Sequence, residues 1–255
     1  MPRKVDINCD MGESFGRFTL GNDENVMPHI SSVNIACGYH AGDPNVMRAT
    51  IRIAKKYGVG IGAHPGLPDM LGFGRREMKI TPEDLKNYLI YQAGALRAFT
   101  IAENVRMQHV KPHGVLYQMV ERDEGLAEAT VEAIQELDPE LILLIENGTK
   151  AYEIAKKQGI KVVAEAFVDL HYGDDGRWII EKRKVAWDPK LVAARAVSLA
   201  KNGRIETVDG KVIQIRADSF CIHGDGSNAP EVAMTLRKTL EQEGIEIVPL
   251  AELAM

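Results

Sequence analysis

The sequence lacks the features of a membrane protein, an exported protein or a nucleic-acid binder. No stretch approaches the roughly 18 consecutive apolar residues of a membrane span, and MPRKVDINCD lacks the apolar core of a signal peptide. The net charge is −5, and the longest basic run, Lys182-Arg183-Lys184, is interpreted as a solvated turn. We therefore expect a cytoplasmic protein with no nucleic-acid partner and no membrane partner.

Cysteine is also scarce. Cys9, Cys37 and Cys221 lie inside apolar runs at unrelated spacings, which favours reduced, buried thiols over a disulfide framework or a zinc site. Cys37 is a candidate nucleophile, but a buried free cysteine usually acts as a small hydrophobic residue. We expect all three thiols to be structural.

The sequence does contain a repeated alternation of apolar runs and helical patterns. The apolar runs have strand length and lie at 4–9, 31–37, 59–64, 105–111, 140–145, 161–169 and 217–223. Such alternation is typical of parallel βα units. A chain of 255 residues with 45% hydrophobic content suits one large domain. We predict a single α/β domain over 1–255, a TIM-like (β/α) barrel of about seven parallel strands.

Helix and turn signals separate these runs. Asp43-Pro44 combines an N-cap residue with proline at the first helical position, Gly58 closes that helix, and Thr81-Pro82-Glu83-Asp84 repeats the start signal. Asp209-Gly210 lies between two short alternating runs and predicts a β-hairpin inserted before the seventh strand. Further helices are predicted at about 125–137, 149–158, 188–202 and 229–243.

Polar residues occupy one face of several predicted strands. In the first run, Asp6, Asn8 and Asp10 share one face of the strand, and the alternating apolar residues occupy the opposite face. In a closed barrel, one strand face meets the helices and the other meets the lumen, where residues near the carboxyl ends line the active site. The same alternation groups His109 with Lys111 and His113, Glu165 with Phe167 and Asp169, and Ser219 with Cys221 and His223.

Four of the seven histidines fall at, or just past, the carboxyl end of a predicted strand: His40, His64, His113 and His223. A single histidine beside glycine is usually a loop residue that bonds to the backbone, but four at one rim favour a functional cluster. The others, His29, His109 and His171, are expected to be structural or surface residues. For Asp10 and Asp169, a role as an N-cap or turn carboxylate remains the alternative.

The segment 64–78, HPGLPDMLGFGRREM, is rich in glycine and contains Arg75-Arg76. We interpret it as an active-site loop whose arginines bind a carboxylate or phosphate, because it leaves the predicted catalytic rim. The alternative is an irregular surface turn.

Five separated motifs resemble those of the LamB/YcsF family: VDINCDMGESFG, VNIACGYHAGDP, IGAHPGLPDMLGFGRR, VKPHGVLY and CIHGDG. The resemblance extends from about residue 5 to about residue 250. It implies a barrel variant of the glycoside hydrolase/deacetylase type. It also implies a part in the ATP-driven opening of 5-oxoproline to L-glutamate by a 5-oxoprolinase, with partner subunits B and C.

The resemblance also implies the site residues. These residues stand where the family pattern has them, and from their chemistry we assign as catalytic Asp10, His40, His64, Lys111, His113 and His223, and as substrate-binding Asn8, Glu13, Asp43, Arg75, Glu165, Asp169 and Asp225. One motif departs from the family. Where relatives typically carry EvFADRxYxxdGxLvpR, this chain has EAFVDLHYGDDGRWIIEK, so Leu170 replaces an arginine and Glu181 another basic residue. Strand alternation predicts that Leu170 faces away from the lumen.

Opening a lactam requires a base that activates water, a cation that faces the carbonyl oxygen and a proton for the leaving nitrogen. We assign His113 or Asp10 as the base, Lys111 and Arg75 as anion stabilisers, and His40, His64 and His223 as orienting or proton-transfer groups. The chain has no G-x-x-x-x-G-K-[ST] phosphate loop, so ATP is expected to be bound mainly by the partner subunits.

Two alternatives to this function remain open. One is a metal-dependent deacetylase, in which Asp10 and two rim histidines hold the ion. The other is a non-catalytic subunit that only binds ligand or stabilises its partners. No metal is predicted to be required, because carboxylates and imidazoles at a rim also perform acid–base chemistry without one.

Overall fold

The computed structural model describes residues 3–181 and 185–254, so the predicted turn at Lys182-Arg183-Lys184 lies outside the described residues. The strands, β1 to β10 in chain order, are Lys4–Met11, Ser32–Ala36, Gly60–His64, Met107–Val110, Ile142–Glu146, Val162–Phe167, Arg204–Glu206, Val212–Gln214, Ser219–His223 and Glu246–Ile247. The α-helices, α1 to α9, are Asp23–Val26, Pro44–Tyr57, Pro82–Ala102, Gly114–Arg122, Glu124–Leu137, Lys150–Lys157, Pro189–Asn202, Ala229–Gln242 and Leu250–Leu253. Two 3₁₀ turns lie at Met27–His29 and Met70–Gly72.

The parallel strands close into a barrel in the order β1-β2-β3-β4-β5-β6-β9, with β9 pairing back onto β1. This confirms the predicted α/β barrel of about seven parallel strands. Strand β10 adds a short parallel pairing to β1, and β7 and β8 form the predicted antiparallel hairpin. Gly210 in its turn has φ +81°, a conformation that glycine adopts without strain.

The helix signals act as expected. Asp43 caps α2 by accepting hydrogen bonds from the backbone N–H groups of Asn45 and Val46, and Gly58 ends that helix with φ +69°. Thr81 and Asp84 form a reciprocal capping box at the start of α3. Helix α4 was not predicted. It begins directly after His113, which makes no side-chain cap hydrogen bond, so no capping signal marks it.

The barrel lumen is filled with polar side chains in successive layers. At the amino end, Asp6 accepts hydrogen bonds from the hydroxyls of Ser31, Ser32 and Ser219 at 2.5–2.7 Å. Burial raises the pKa of Asp6 to about 6 in spite of these hydrogen bonds. Each layer supports the one above it, and the last layer forms the site.

The next layer contains His109, whose Nε2 lies 2.6 Å from Asn34 Oδ1, while Asn34 Nδ2 donates to Asn8 Oδ1 at 2.7 Å. His109 is completely buried, and burial lowers its pKa to about 3. It is therefore a neutral structural residue, as the sequence predicts. Within the described residues, no helix has both the length and the apolar composition needed to cross a membrane.

Two carboxyl side chains meet between α4 and the carboxyl end of β5. Glu121 and Glu146 are close enough that each affects the pKa of the other, and burial favours the protonated carboxyl group. Tyr172 Oη donates a hydrogen bond to Glu146 at 3.0 Å. Burial raises the pKa of Glu121 to about 7, and burial and the neighbouring Glu121 raise the pKa of Glu146 well above its usual range.

This pair predicts a pH dependence of stability. The folded state binds the proton of Glu121 more tightly than the unfolded chain, so the free energy of unfolding falls as pH rises from about 4.5 to about 7. Glu121→Gln keeps a neutral side chain and is expected to reduce this fall, measured by urea denaturation at a series of pH values. Glu128→Gln, at an exposed position of α5, is the control and should keep the wild-type pH dependence. Equal slopes in both variants would contradict the raised pKa of Glu121.

Candidate active site

A cavity of about 30 Å³ lies at the carboxyl ends of the barrel strands. This volume accommodates roughly one or two water molecules. Its lining combines charged groups from the lumen with an apolar wall: Asp10, Glu13, His64, Arg75, Lys111, Pro112, His113, Gly114, Tyr117, Phe167, Leu170, Trp178, Ile180, Glu181 and His223. The carboxyl rim is where the sequence predicts the active site.

Lys111 is the central cation of the cavity floor. Its Nζ lies 2.9 Å from Asp10 Oδ1, 3.0 Å from Glu165 Oε1 and 3.0 Å from Cys221 Sγ, and its side chain is 1% exposed. Burial favours the neutral amine, but Asp10 and the other neighbours raise the pKa of Lys111 well above its usual value. Lys111 is therefore a fixed positive charge and not a proton donor.

Asp10 is held as an anion. Besides Lys111, it accepts a hydrogen bond from Asn34 Nδ2 at 2.7 Å, and its Oδ2 lies 3.2 Å from His64 Nε2 and 3.7 Å from His223 Nε2. Burial alone would raise the pKa of Asp10, but His64 and Lys111 hold it well below its usual range. A carboxylate this acidic is a poor general base.

Three histidines pack edge to face and face to face beside Asp10. His64 Nδ1 lies 2.8 Å from the carbonyl oxygen of Lys111, and His113 Nε2 lies 2.8 Å from that of Phe73. The remaining nitrogens, His64 Nε2 and His113 Nδ1, are 3.0 Å apart. His40 stacks on His113 with ring centroids 3.6 Å apart. Burial lowers the pKa of both His40 and His113 well below the usual value, so these two rings are neutral.

Glu13 reaches the same cluster from the loop after β1. Its Oε1 lies 3.4 Å from His40 Nε2 and 3.9 Å from His113 Nδ1. Burial, together with repulsion from Asp225 and Asp10, raises the pKa of Glu13 well above its usual range. Asp10 and Glu13, three residues apart, therefore differ in protonation: the pKa of Asp10 is lowered and that of Glu13 is raised.

His223 forms a dyad with Asp169. The His223 Nδ1 lies 2.9 Å from Asp169 Oδ1, and its backbone N–H donates to Asp169 Oδ2 at 2.8 Å. These contacts orient the ring so that Nε2 points to Asp10 and the cavity. An imidazole oriented by a carboxylate in this way is suited to proton transfer.

Arg75 forms the outer edge of the cavity. Its guanidinium donates to the carbonyl oxygen of Glu181 at 2.8 Å, lies 3.7 Å from Asp225 Oδ2 and covers the ring of Phe73. Arg76 instead pairs with Asp69, which places it away from the cavity lining. Only the first of the two arginines in the loop therefore reaches the site.

Two predicted placements differ from the structure. Asp43 is used as the N-cap of α2 and accepts from Gly16 N at 2.9 Å, and it does not line the cavity. Leu170 does line the cavity and is 2% exposed, whereas strand alternation predicted that it faces away. The reason is that β6 ends at Phe167, so positions 169 and 170 belong to a turn in which a period of two no longer applies.

The remaining predicted residues take supporting positions. Asn8 lies one layer below the cavity floor, where it donates to Ser219 Oγ at 2.8 Å and accepts from Lys111 Nζ at 3.4 Å. Cys9, Cys37 and Cys221 are buried and free. Burial raises the pKa of Cys37 to about 12, which argues against a nucleophilic thiolate.

Sequence analysis missed two groups of site residues. Asn34 connects Asp10, Asn8 and His109, and the alternation of Ser32 and Asn34 with apolar residues in β2 was a usable signal. The apolar wall formed by Tyr117, Trp178 and Ile180 gave no such signal, because these residues come from α4 and a loop.

The fold and site thus define an α/β barrel with an ionised, largely enclosed cavity at its carboxyl rim. The model of the LamB/YcsF family matches residues 5–255, and the chain belongs to that family. It is 51% identical to the 5-oxoprolinase A subunit of Thermococcus onnurineus, covering 98% of both chains, and 48% identical to that of Clostridium beijerinckii, covering 97% of this chain and 98% of the relative. A crystal structure of a lactam utilization protein from Thermus thermophilus matches with a TM-score of 0.87 and 44% identity, over 96% of this chain and 99% of that one.

The contacts of Lys111 predict a large effect on stability. Lys111→Met removes the cation from between Asp10 and Glu165, and leaving buried charges unpaired typically reduces the free energy of unfolding by about 3–5 kcal/mol. Urea denaturation at neutral pH measures this loss. Lys157→Met, at an exposed position of α6, is the matched control and should change stability by less than about 0.5 kcal/mol. Similar values for the two variants would refute the assignment of Lys111 as the central counter-ion.

Proposed function

We propose that this chain is the A subunit of an ATP-dependent 5-oxoprolinase, which opens the lactam of 5-oxoproline to L-glutamate together with subunits B and C. The observation that carries the proposal is the likeness, over nearly the whole chain, to proteins named as the A subunit of 5-oxoprolinase. The charged cavity supports it, because a lactam with a carboxylate needs both cations and proton-transfer groups around it.

We assign proton transfer to His223. Both ring nitrogens of His113 are engaged, with the Phe73 carbonyl and with His64, and Asp10 is too acidic to accept a proton readily. The Nε2 of His223 instead faces the cavity, and its Nδ1 is oriented by Asp169. In this scheme His223 takes a proton from water as the water adds to the lactam carbonyl carbon. The ring C–N bond then breaks, and the leaving nitrogen receives the proton that His223 took from water.

Lys111 and Arg75 supply the positive charges in the proposed reaction. Lys111 is fixed at the floor and Arg75 at the outer edge, so they can stabilise negative charge at two separate points of a bound substrate. A lactam is larger than this cavity, so in the proposed complex part of its apolar wall, which includes Leu170, Trp178 and Ile180, moves to admit the substrate.

We assign ATP binding mainly to the partner subunits. The chain has no phosphate-loop motif. In this proposal ATP transfers a phosphoryl group to the amide oxygen in the complete assembly, and water later releases that group as phosphate. The barrel described here provides the groups around the ring.

Reconstitution tests the proposed function. The purified chain alone is expected to turn over neither ATP nor 5-oxoproline appreciably, whereas a mixture with subunits B and C should release glutamate and phosphate from 5-oxoproline and ATP. Each protein is omitted in turn, and glutamate is measured. Full activity of the B and C mixture without this chain, or robust ATP turnover by this chain alone, would overturn the proposal.

The assignment of His223 has its own test in the same assay. His223→Ala is expected to reduce glutamate formation by at least about a hundredfold, the usual scale for loss of a proton-transfer group. His29→Ala, in the 3₁₀ turn at Met27–His29 away from the cavity, is the control and should retain activity. Equal losses in both variants would show that contact with the cavity is not the deciding factor.

A further inference from the structure

The tautomers of two site histidines are fixed by backbone carbonyl groups. A carbonyl oxygen can only accept, so His64 Nδ1 donates to the oxygen of Lys111 and His113 Nε2 donates to that of Phe73. In a neutral imidazole the other nitrogen then carries a lone pair. His64 Nε2 and His113 Nδ1 lie 3.0 Å apart, so they direct two lone pairs at each other if both rings are neutral. Such a contact is repulsive unless a proton or a metal ion lies between the two nitrogens.

Carboxyl oxygens add to the same point. Asp10 Oδ2 lies 3.2 Å from His64 Nε2, and Glu13 Oε1 lies 3.9 Å from His113 Nδ1. The side chains of Asp10 and Glu13 are each 6% exposed, so water screens these contacts poorly. Two ring nitrogens and two carboxyl groups thus converge at one point.

We propose that Glu13, His64 and His113 bind a divalent transition-metal ion of the zinc class. Two imidazoles and a carboxylate are ligands typical of such ions. With bonds of about 2.1 Å, donor atoms in a tetrahedral site are about 3.4 Å apart. The His64–His113 and His113–Glu13 separations of 3.0 and 3.9 Å lie on either side of that value, and all the ligand atoms lie within 4.8 Å of one another.

His40 supports this site from behind. Its ring is parallel to that of His113, with 3° between the planes at 3.6 Å, so the two rings cannot both point at one ion. His40 does not line the cavity, and its Nε2 lies 3.4 Å from Glu13 Oε1. In this proposal His40 is a positioning residue that packs on His113 and lies beside the Glu13 carboxyl group without a hydrogen bond to it.

The open side of the proposed site faces the reaction cavity. Glu13, His64 and His113 all line it, together with Lys111 and His223. Three protein ligands with a free fourth position are the arrangement in which a zinc-class ion polarises a carbonyl group or acidifies water. The ion would thus act on the same substrate as the groups already assigned.

A second cluster, Asp10 with Cys221 and His223, also has metal-ligating atoms within reach of one another. Lys111 Nζ lies 2.9 Å from Asp10 Oδ1 and 3.0 Å from Cys221 Sγ. The ammonium group therefore already provides the positive charge at that point. This distinguishes the cluster from the Glu13 site, where no side-chain ammonium or guanidinium among the described residues lies within ion-pair distance.

Metal binding by the isolated chain tests the proposal without substrate, ATP or partner subunits. The protein is stripped with a chelator and titrated with Zn²⁺ by calorimetry and with Co²⁺ by visible absorption. We expect one equivalent to bind, with the intense d–d bands of a tetrahedral or five-coordinate Co²⁺ site. Because no reaction is measured, a failure here leaves the proposed function intact, and loss of the proposed function leaves this site intact.

Variants locate the ion. His64→Ala and Glu13→Gln are expected to weaken Zn²⁺ affinity by at least about a hundredfold, and His40→Ala by about 10- to 100-fold, the usual scale for a partner of a ligand. His171→Ala is the control and should bind Zn²⁺ like the wild type, because the ring of His171 packs against Trp187 and not against the proposed ligands. Circular dichroism verifies folding, and Glu13→Gln, the most conservative change, decides the result if His64→Ala does not fold.

Two results would overturn the metal site. One is the absence of saturable binding of Zn²⁺ and Co²⁺, together with NMR evidence that His64 is an imidazolium, which would make a proton the cation between the rings. The other is binding that Glu13→Gln and His64→Ala leave unchanged, which would place the ion elsewhere.

Discussion

The site depends on one buried ammonium group. Lys111 is enclosed by Asp10, Glu165 and Cys221 in a lumen where burying a single charge is expensive. The network tolerates this because each ion has a partner, and because strands from distant parts of the chain bring those partners together. The same ammonium group holds Asp10 ionised and so shapes the electrostatic potential felt by His64 and His223. The geometry of the rim follows from satisfying this charge.

Much of this arrangement can be predicted from the sequence, because a period of two survives wherever a strand is regular. The polar faces of β1, β4 and β9, and the position of His64 at the end of β3, follow from that period and the closed barrel. Asn34 could have been found by the same rule applied to β2.

Prediction fails where the period ends. Leu170 lies beyond the last residue of β6, and α4 starts without a side-chain cap, so neither has a local signal. Asp43 shows a different difficulty, because an aspartate can either cap a helix or bind a ligand. The sequence around Asp43 is compatible with both roles, and only the fold shows that it caps α2. The protonation preferences of Asp10 and Glu13 also depend on neighbours from other strands, which the residue types alone do not specify.

The histidine stack rests on two glycines that carry no functional group. A Cβ atom at Gly66 would lie 2.5 Å from His40 Nδ1, and one at Gly74 would lie 2.8 Å from both His40 Cβ and His113 Cδ2. Gly74 also has φ +62°, which a side chain would strain. The backbone of the loop 64–78 therefore packs closely against the imidazole rings of His40 and His113 and fixes their positions. An alanine at either glycine would therefore displace the imidazole rings and disturb the site, although every ionisable residue would still be present. Substitutions at these glycines can thus impair the site without changing any residue of a catalytic type.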